Sequence, residues 1–299
     1  SVHSLLYGWC MTMFWKKAIK VTIALAEGTF DDKGNNEITL PEVPIHINMD
    51  KTGGDELPKC TIEVKNLKLN LMEQLTVLSF RQLQTYNNVI KVMAGEEGRD
   101  LDLVFQGEIV SAIPVFATDG DVTFKIEAAS GYYPLQKSTP PVSVQGETTI
   151  EYLMKQFATE AGYALENKGV SGSVSNCVFA GTPIVKARLL AKQTGIDLLI
   201  DNNKFVILPS YKDNRDCIIP LISKDTGLIG YPSFTNDGVE CECLFNSLIE
   251  IGGLIKLESI VPKATGVWRV TRIHHDLEAY NSSGGNWHTK IDAVWRADS

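Results

Sequence analysis

Ile19, Val21, Ile23 and Leu25 fall on every second position, and the same step recurs at Ile45 and Ile47, at Ile62 and Val64, and at Val122, Phe124 and Ile126. Successive side chains of a strand point to opposite faces, so a period of two demands a sheet with one buried face and one face toward water. Turn chemistry separates the runs, at Asp31-Asp32-Lys33-Gly34-Asn35-Asn36, at Lys51-Thr52-Gly53-Gly54 and at Asp119-Gly120-Asp121. One helical island interrupts them near Asn70–Thr85, where Leu71, Leu75, Leu78 and Gln82 lie three or four apart. From Ala18 to Phe124 the expected product is an antiparallel barrel or sandwich.

Between Gly131 and Pro209 the period changes. Thr148 or Thr149 can cap a helix whose stripe is Ile150, Leu153, Met154, Phe157 and Ala161, with Gly162 placed to end it. A second helix has Thr182 as cap, Pro183 as first residue and Gly195 as stop. Ile196–Ile200, the turn Asp201-Asn202-Asn203 and Phe205–Leu208 then read as a hairpin. This is the pattern of a small α+β domain with its own core. Strands return from Ile218 onward, at Val239–Leu244, Leu254–Leu257, Trp268–His274 and His288–Val294, with a turn at Asn281–Asn286. The tail of the chain therefore reads as a second β-barrel-like unit, without a sequence repeat linking it to the first.

Charge narrows the function. The 299 residues carry 28 basic and 36 acidic side chains, a formal net charge of −8. Nucleic-acid affinity rests on neutralising phosphates with Lys and Arg, so this balance argues against it. The six cysteines, Cys10, Cys60, Cys177, Cys217, Cys241 and Cys243, are scattered through a long chain, which favours free thiols in a reducing compartment over a disulfide scaffold. No apolar run is long enough to cross a bilayer. Residues 1–15 include Leu5, Leu6, Tyr7, Trp9, Met11, Phe14 and Trp15 but lack the flanks of a signal peptide. They read as an apolar arm that packs on a partner.

No residue set reads as catalytic, cofactor-binding or metal-binding. Cys241 and Cys243 share one strand face and could be joined by Cys217, His274 and His275. Structural zinc sites space their cysteines two to four residues apart in a turn, so small core residues are the better reading. Glu240 and Glu242 point to the opposite face, as a solvated or lumen-facing surface does; a carboxylate pair for hydrolysis needs a cleft. His274 and His275 face opposite ways, one to the core and one to the surface. Cys177 and Cys10 have no basic neighbour to activate a thiol. Gly95-Glu96-Glu97-Gly98 lacks the Lys-Ser/Thr of a phosphate loop and reads as a hairpin turn. Trp268, Trp287 and Trp295 sit without clustered basic residues, which favours core and subunit contacts over base stacking.

Gly227-Leu228-Ile229-Gly230-Tyr231-Pro232 leads into Gly238-Val239-Glu240-Cys241-Glu242-Cys243-Leu244-Phe245-Asn246, then Ile251-Gly252-Gly253 and Leu254–Leu257. Upstream stand Met72-Glu73-Gln74-Leu75-Thr76, Val92-Met93-Ala94-Gly95 and Val104-Phe105-Gln106-Gly107-Glu108-Ile109. In their order these islands resemble the baseplate hub proteins of contractile-tailed phages, the late control protein D-like family. Ser247 stands where that pattern has a proline. The resemblance spans about Lys20 to Trp295.

What the resemblance implies is a β-rich α+β chain: an apolar arm (1–15), a first tail-tube-like antiparallel β-barrel domain (16–130), a small α+β domain (131–215) and a second tube-like β domain (216–299). It implies a structural homotrimer forming a pseudo-hexameric ring, with the tail tube protein, the spike protein and other baseplate proteins as partners. Genomic DNA would be met only in transit, with no stable membrane insertion, no cofactor and no enzymatic activity. Assembly in the host cytoplasm and a place in the virion tail baseplate follow. Another tail-tube-like or secretion-spike component is the alternative, and a tail-associated cell-wall hydrolase a more distant one.

Overall fold

A computed structural model describes residues 16–80, 87–116, 122–210, 213–215 and 218–295. The apolar arm, Cys10, Cys217 and the Asp119-Gly120-Asp121 turn lie outside the described residues.

The first run of alternation becomes strands β1 (Lys17–Ala24), β2 (Glu37–Thr39), β3 (Ile45–Thr52), β4 (Lys59–Lys65), β5 (Val89–Glu96), β6 (Asp102–Phe116) and β7 (Val122–Ala129), with helix α1 (Leu69–Phe80) between β4 and β5. β3 alternates buried and half-buried residues along its whole length. Ile23, Ile47, Ile62, Ile90, Phe105, Phe124 and Ile126 are fully buried in one core, which Leu75 of α1 joins. Each such side chain stabilises the fold by about 1.5–3 kcal/mol.

The middle of the chain folds as α2 (Tyr132–Gln136), β8 (Thr139–Ser143), β9 (Glu147–Thr149), α3 (Ile150–Ala161), β10 (Ala164–Asn167), β11 (Ser173–Ser175), β12 (Val178–Gly181), α4 (Pro183–Thr194), β13 (Asp197–Asp201) and β14 (Lys204–Leu208). Both expected caps form: the Thr149 hydroxyl accepts the Tyr152 N–H, and the Thr182 hydroxyl accepts the Val185 N–H. Gly162 and Gly195 end α3 and α4 in the left-handed region. The β13–β14 hairpin turns on Asn202 and Asn203 alone, with φ of 49° and 57°. Two consecutive positive φ values define the turn whose twist matches that of the flanking strands. Leu153, Met154, Phe157, Phe179, Ile184, Leu190 and Phe205 close a separate core.

The last part supplies β15 (Leu221–Ile222), β16 (Leu228–Phe234), β17 (Gly238–Leu244), β18 (Leu254–Leu257), β19 (Gly266–Ala279) and β20 (Trp287–Trp295). Val239, Ile255, Leu257, Trp268, Val270, Ile273 and Ile291 form a third core. A Cβ on Gly238 would sit 1.9 Å from the Ala293 carbonyl oxygen, so the close β17–β20 approach there requires glycine.

Strand pairing joins the first and last parts into one thirteen-stranded sheet, ordered β16-β17-β20-β19-β3-β4-β7-β6-β5-β1-β2, with β18 and β15 branching from β19. The β3–β19 seam runs from Arg272 opposite Thr52 to Ala279 opposite Ile45. The chain is thus mostly β with a large antiparallel sheet, and no closed barrel forms among the described residues. The sheet curls at β1: the Tyr280 hydroxyl, carried over from the end of β19, bonds both the N–H and the carbonyl of Ile19, each at 3.1 Å.

Two buried polar nodes fasten the middle unit to the sheet. Lys51 Nζ lies 2.7 Å from Asp201, whose other carboxylate oxygen takes Arg215 at 2.9 Å. Arg215 also reaches Glu166 at 3.1 Å, and Arg269 of β19 reaches Asp197 at 2.8 Å. At the second node, Glu108 of β6 accepts the Tyr163 hydroxyl at 2.6 Å and the backbone N–H groups of Gly131 and Tyr132.

Candidate functional site

Eight strands in antiparallel succession, from β16 across to β6, give the sheet one apolar face and one open face. The open face is set residue by residue by the register. Glu240 and Glu242 stand beside Asp292 and Lys290, which stand beside Arg272 and His274. These meet Thr52 and Asp50 across the seam, and Asn48 and His46 continue to Thr61 and Glu63, then to Glu127 and Lys125.

Several charged and imidazole side chains on this face have a close partner. Arg272 and His274 both contact Asp50, at 3.2 and 3.1 Å. His288 contacts Glu242 at 3.3 Å, His46 contacts Asp276 at 2.7 Å, and Lys125 contacts Glu127 at 2.8 Å. Lys125 and Ser111 hold the Glu127 carboxyl below its ordinary range. A surface of this kind alternates acidic side chains with basic and imidazole ones in short contacts and offers no basic stripe along which a phosphate backbone could be held.

The residues singled out in sequence separate cleanly. Cys241 and Cys243 are buried, and burial pushes both thiols up to about 12. Protonated thiols of this kind are poor metal ligands and poor nucleophiles. Cys177 packs half-buried against the middle core. His275 is buried against Thr289 at 2.8 Å and edge-on to Phe245, while His274 lies on the open face. Glu240 and Glu242 face away from the thiols. Glu96 ends β5, Glu97 and Gly98 make the turn toward β6, and Gly98 has φ of 82°. Trp268 is buried with its indole N–H on the Ala264 carbonyl and packs edge-on to Trp295. Trp287 packs edge-on to Phe245.

Sequence reading missed one constellation. His46, Asp276 and Glu278 bring ligand-type atoms within 4.8 Å of one another on the open face. His46 and Glu278 are cross-strand neighbours only through the β3–β19 seam, so no local spacing announces them. The buried nodes were equally silent, apart from one signal: Lys51 occupies a core position in the Ile45, Ile47, Met49 alternation.

A half-apolar, half-polar antiparallel sheet dominates the fold. The chain belongs to the baseplate hub gp41 family, whose sequence profile matches residues 18–283. It is a structural component of the phage tail baseplate, and so of the virion, and not an enzyme. Solved structures share the fold. The tail protein from Neisseria meningitidis MC58 superposes with a TM-score of 0.61 at 11% identity, covering 95% of this chain and 99% of that one. The 43 kDa tail protein of prophage MuSo2 from Shewanella oneidensis gives 0.59 at 9% identity, covering 93% and 98%. The Escherichia coli c3393 protein, a component of the type VI secretion system, gives 0.57 at 8% identity, covering 92% and 77%. A sequence search of curated proteins finds no match. Among the described residues no helix is long and apolar enough to cross a membrane.

Proposed function

We propose that three copies of this chain form a ring of pseudo-sixfold character that joins the tail tube to the spike and encloses the channel through which the genome leaves. The observation that carries this reading is the β3–β19 seam. It splices two four-stranded halves, β16-β17-β20-β19 and β3-β4-β7-β6, into one continuous sheet. Three copies would present six such halves, which matches a sixfold tube on one face and a threefold spike on the other. Closed cyclic assembly also hides sheet edges that would recruit stray strands.

In this reading residues 16–130 and 216–299 are two tube-like β units, the core of the first also taking in Leu277 and Ala279 of β19, and residues 131–215 are a unit docked outside the ring. The open face turns inward, and its mixed acidic and basic side chains let DNA pass without holding it. Partners are the tail tube protein, the spike protein and other baseplate proteins; assembly takes place in the host cytoplasm. The likeness to the Escherichia coli secretion component supports a second reading, a secretion-spike ring built on the same sheet, but membership of the baseplate hub family favours the phage tail. Binding assays with the purified tail tube protein and spike protein separate the two. Stable binding to both is expected, and a chain that binds neither would remove the hub reading.

A further inference from the structure

Where β3 meets β19, the register sets Glu63, His46 and Glu278 in one row across three strands, and Asn48 beside Asp276 in the next. Asp276 and Glu278 are two apart on β19 and so share the open face. Ligand-type atoms of His46, Asp276 and Glu278 all lie within 4.8 Å of one another, and all three residues are half-buried. His46 Nε2 is 2.7 Å from Asp276 Oδ1. Among the described residues no Lys or Arg forms an ion pair with Asp276 or Glu278, whereas Asp50 has Arg272 and Glu127 has Lys125. Lys17 acts on Glu278 through its charge, but its Nζ is directed at the Gly285 carbonyl at 2.6 Å and lies over the Trp287 ring.

The geometry points to a divalent transition-metal site of the zinc type, with His46 Nε2, Asp276 Oδ1 and Glu278 Oε1 as its three protein ligands. It uses residues of one chain and does not depend on the ring. The turn after β19 is the first argument. Asn286 Nδ2 donates to Asp276 Oδ2 and Asn281 Nδ2 donates to Glu278 Oε2, each at 2.8 Å. Each amide fixes one carboxylate oxygen and leaves the other for a cation, and outer hydrogen bonds of this kind orient metal ligands. Gly285 lets the turn close on the pair: a Cβ there would sit 2.5 Å from the Glu278 Cβ and 2.6 Å from its Oε2. Asn281, Gly285 and Asn286 thus set both carboxylates.

The imidazole is the second argument. The Asn48 amide lies 3.2 Å from the same Nε2 that faces Asp276, and Nδ1 turns toward Glu63 at 3.9 Å. With the Asn48 N–H directed at it, Nε2 presents a lone pair, and a lone pair facing a carboxylate oxygen needs a cation to bridge the two. A metal ion bridges them and leaves the Nδ1–H facing Glu63, the outer carboxylate that a metal-bound histidine commonly has. A proton on Nε2 is the rival bridge.

Donor chemistry selects the ion. One imidazole with two carboxylates suits zinc and its first-row neighbours, whereas calcium and magnesium take oxygen ligands. Ligands held at about 2.0–2.2 Å from one ion stand roughly 3–4 Å apart, so this set closes on it by small side-chain shifts. A recess of about 620 Å³, lined by Lys16, Lys17, Glu42, Glu97 and Glu278, opens beside the cluster and gives a cation its approach. An ion there ties β3 to β19 through residues 230 positions apart, at the seam between the first and last parts of the chain.

Calorimetric titration of the full chain with Zn²⁺, and with Co²⁺ followed by visible absorption, tests the site. One ion per chain is expected, with Tm raised by about 4 °C at a hundredfold excess over Kd. His46→Gln, Asp276→Asn and Glu278→Gln should each weaken binding by at least about tenfold, as should Asn281→Ala, which removes no ligand. His274→Gln, on the same strand, should leave binding unchanged. Binding that survives all three ligand variants would overturn the assignment, and so would a response to Mg²⁺ as strong as that to Zn²⁺, the mark of diffuse counterions. No binding near neutral pH would leave the proton as the bridge and overturn it equally.

Discussion

Lys51 and Asp201, separated by 150 positions, meet at 2.7 Å with both side chains almost fully buried. Burial works to raise the Asp201 carboxyl, but Lys51 and Arg215 outweigh it and hold it below its ordinary range. Lys51→Met would leave Asp201 buried with one partner fewer, a loss of about 3 kcal/mol by the usual cost of breaking a buried pair. Chemical denaturation should give that loss for Lys51→Met and for Asp201→Asn, and a double variant less destabilised than the sum of the two. Additive losses would mean that the pair does not couple the middle unit to the sheet. Because the folded-state pKa of Asp201 is depressed, its stabilisation is present above about pH 4 and is lost as pH falls through the folded value.

His275 adds an acid sensitivity in a higher window. Burial, with the Lys51 charge adding to it, holds the imidazole down to about 3 from 6.5. The unfolded chain takes up this proton below roughly pH 6.5 and the folded chain does not, so stability falls as pH drops from there toward 3. Lys51, His274 and Asp201 are the charged or titratable groups acting on this ring, and Thr289 and Phe245 pack against it. His275→Asn should flatten the stability profile between about pH 4 and 6.5 relative to the parent. An unchanged slope would show that the ring is already protonated in the fold.

Glu108 carries the opposite sign. Burial pushes its carboxyl up against the hydrogen bonds from Tyr163 and from the backbone of residues 131–133. A neutral acceptor therefore suits the site: Glu108→Gln should stay within about 1 kcal/mol of the parent near pH 8, whereas Glu108→Ala, which strands buried donors, should cost about 3 kcal/mol. Equal losses in thermal unfolding would mean that the negative charge itself holds the node.

Much of this was readable in advance, and the failures share a cause. Alternation located β1, β3, β4 and β7, and Leu254–Leu257 has the expected bounds. Thr149, Gly162, Thr182 and Gly195 sit at their expected caps because capping is decided within one turn of helix. β19 runs to Ala279, beyond the expected His274, because pairing with β3 extends it. Nothing local in Ala164–Asn167 announces its parallel pairing with Lys204–Leu208. The same holds for the seam, for the His46–Glu278 juxtaposition and for Glu108 as a buried anchor, all of which depend on residues far apart in sequence.

The open face predicts indifference to duplex DNA. Its acidic side chains, among them Glu240, Glu242, Asp292, Asp276 and Glu278, alternate with Lys290 and Arg272 without forming a basic track. A gel-shift assay of the assembled ring at about 50 mM salt, where electrostatic binding is strong, should leave DNA unretarded. Salt-sensitive retardation would instead point to a basic lumen and a nucleic-acid-handling role.

The central claim is the trimeric ring, and imaging of the full chain bound to its tube and spike partners, paired with a mass measurement, tests it most directly. The expected particle contains three copies of the 33.0 kDa chain and gives end-on views with six similar lobes around an open centre. A chain that remains monomeric with both partners present, or a ring containing a different number of copies, would contradict the account.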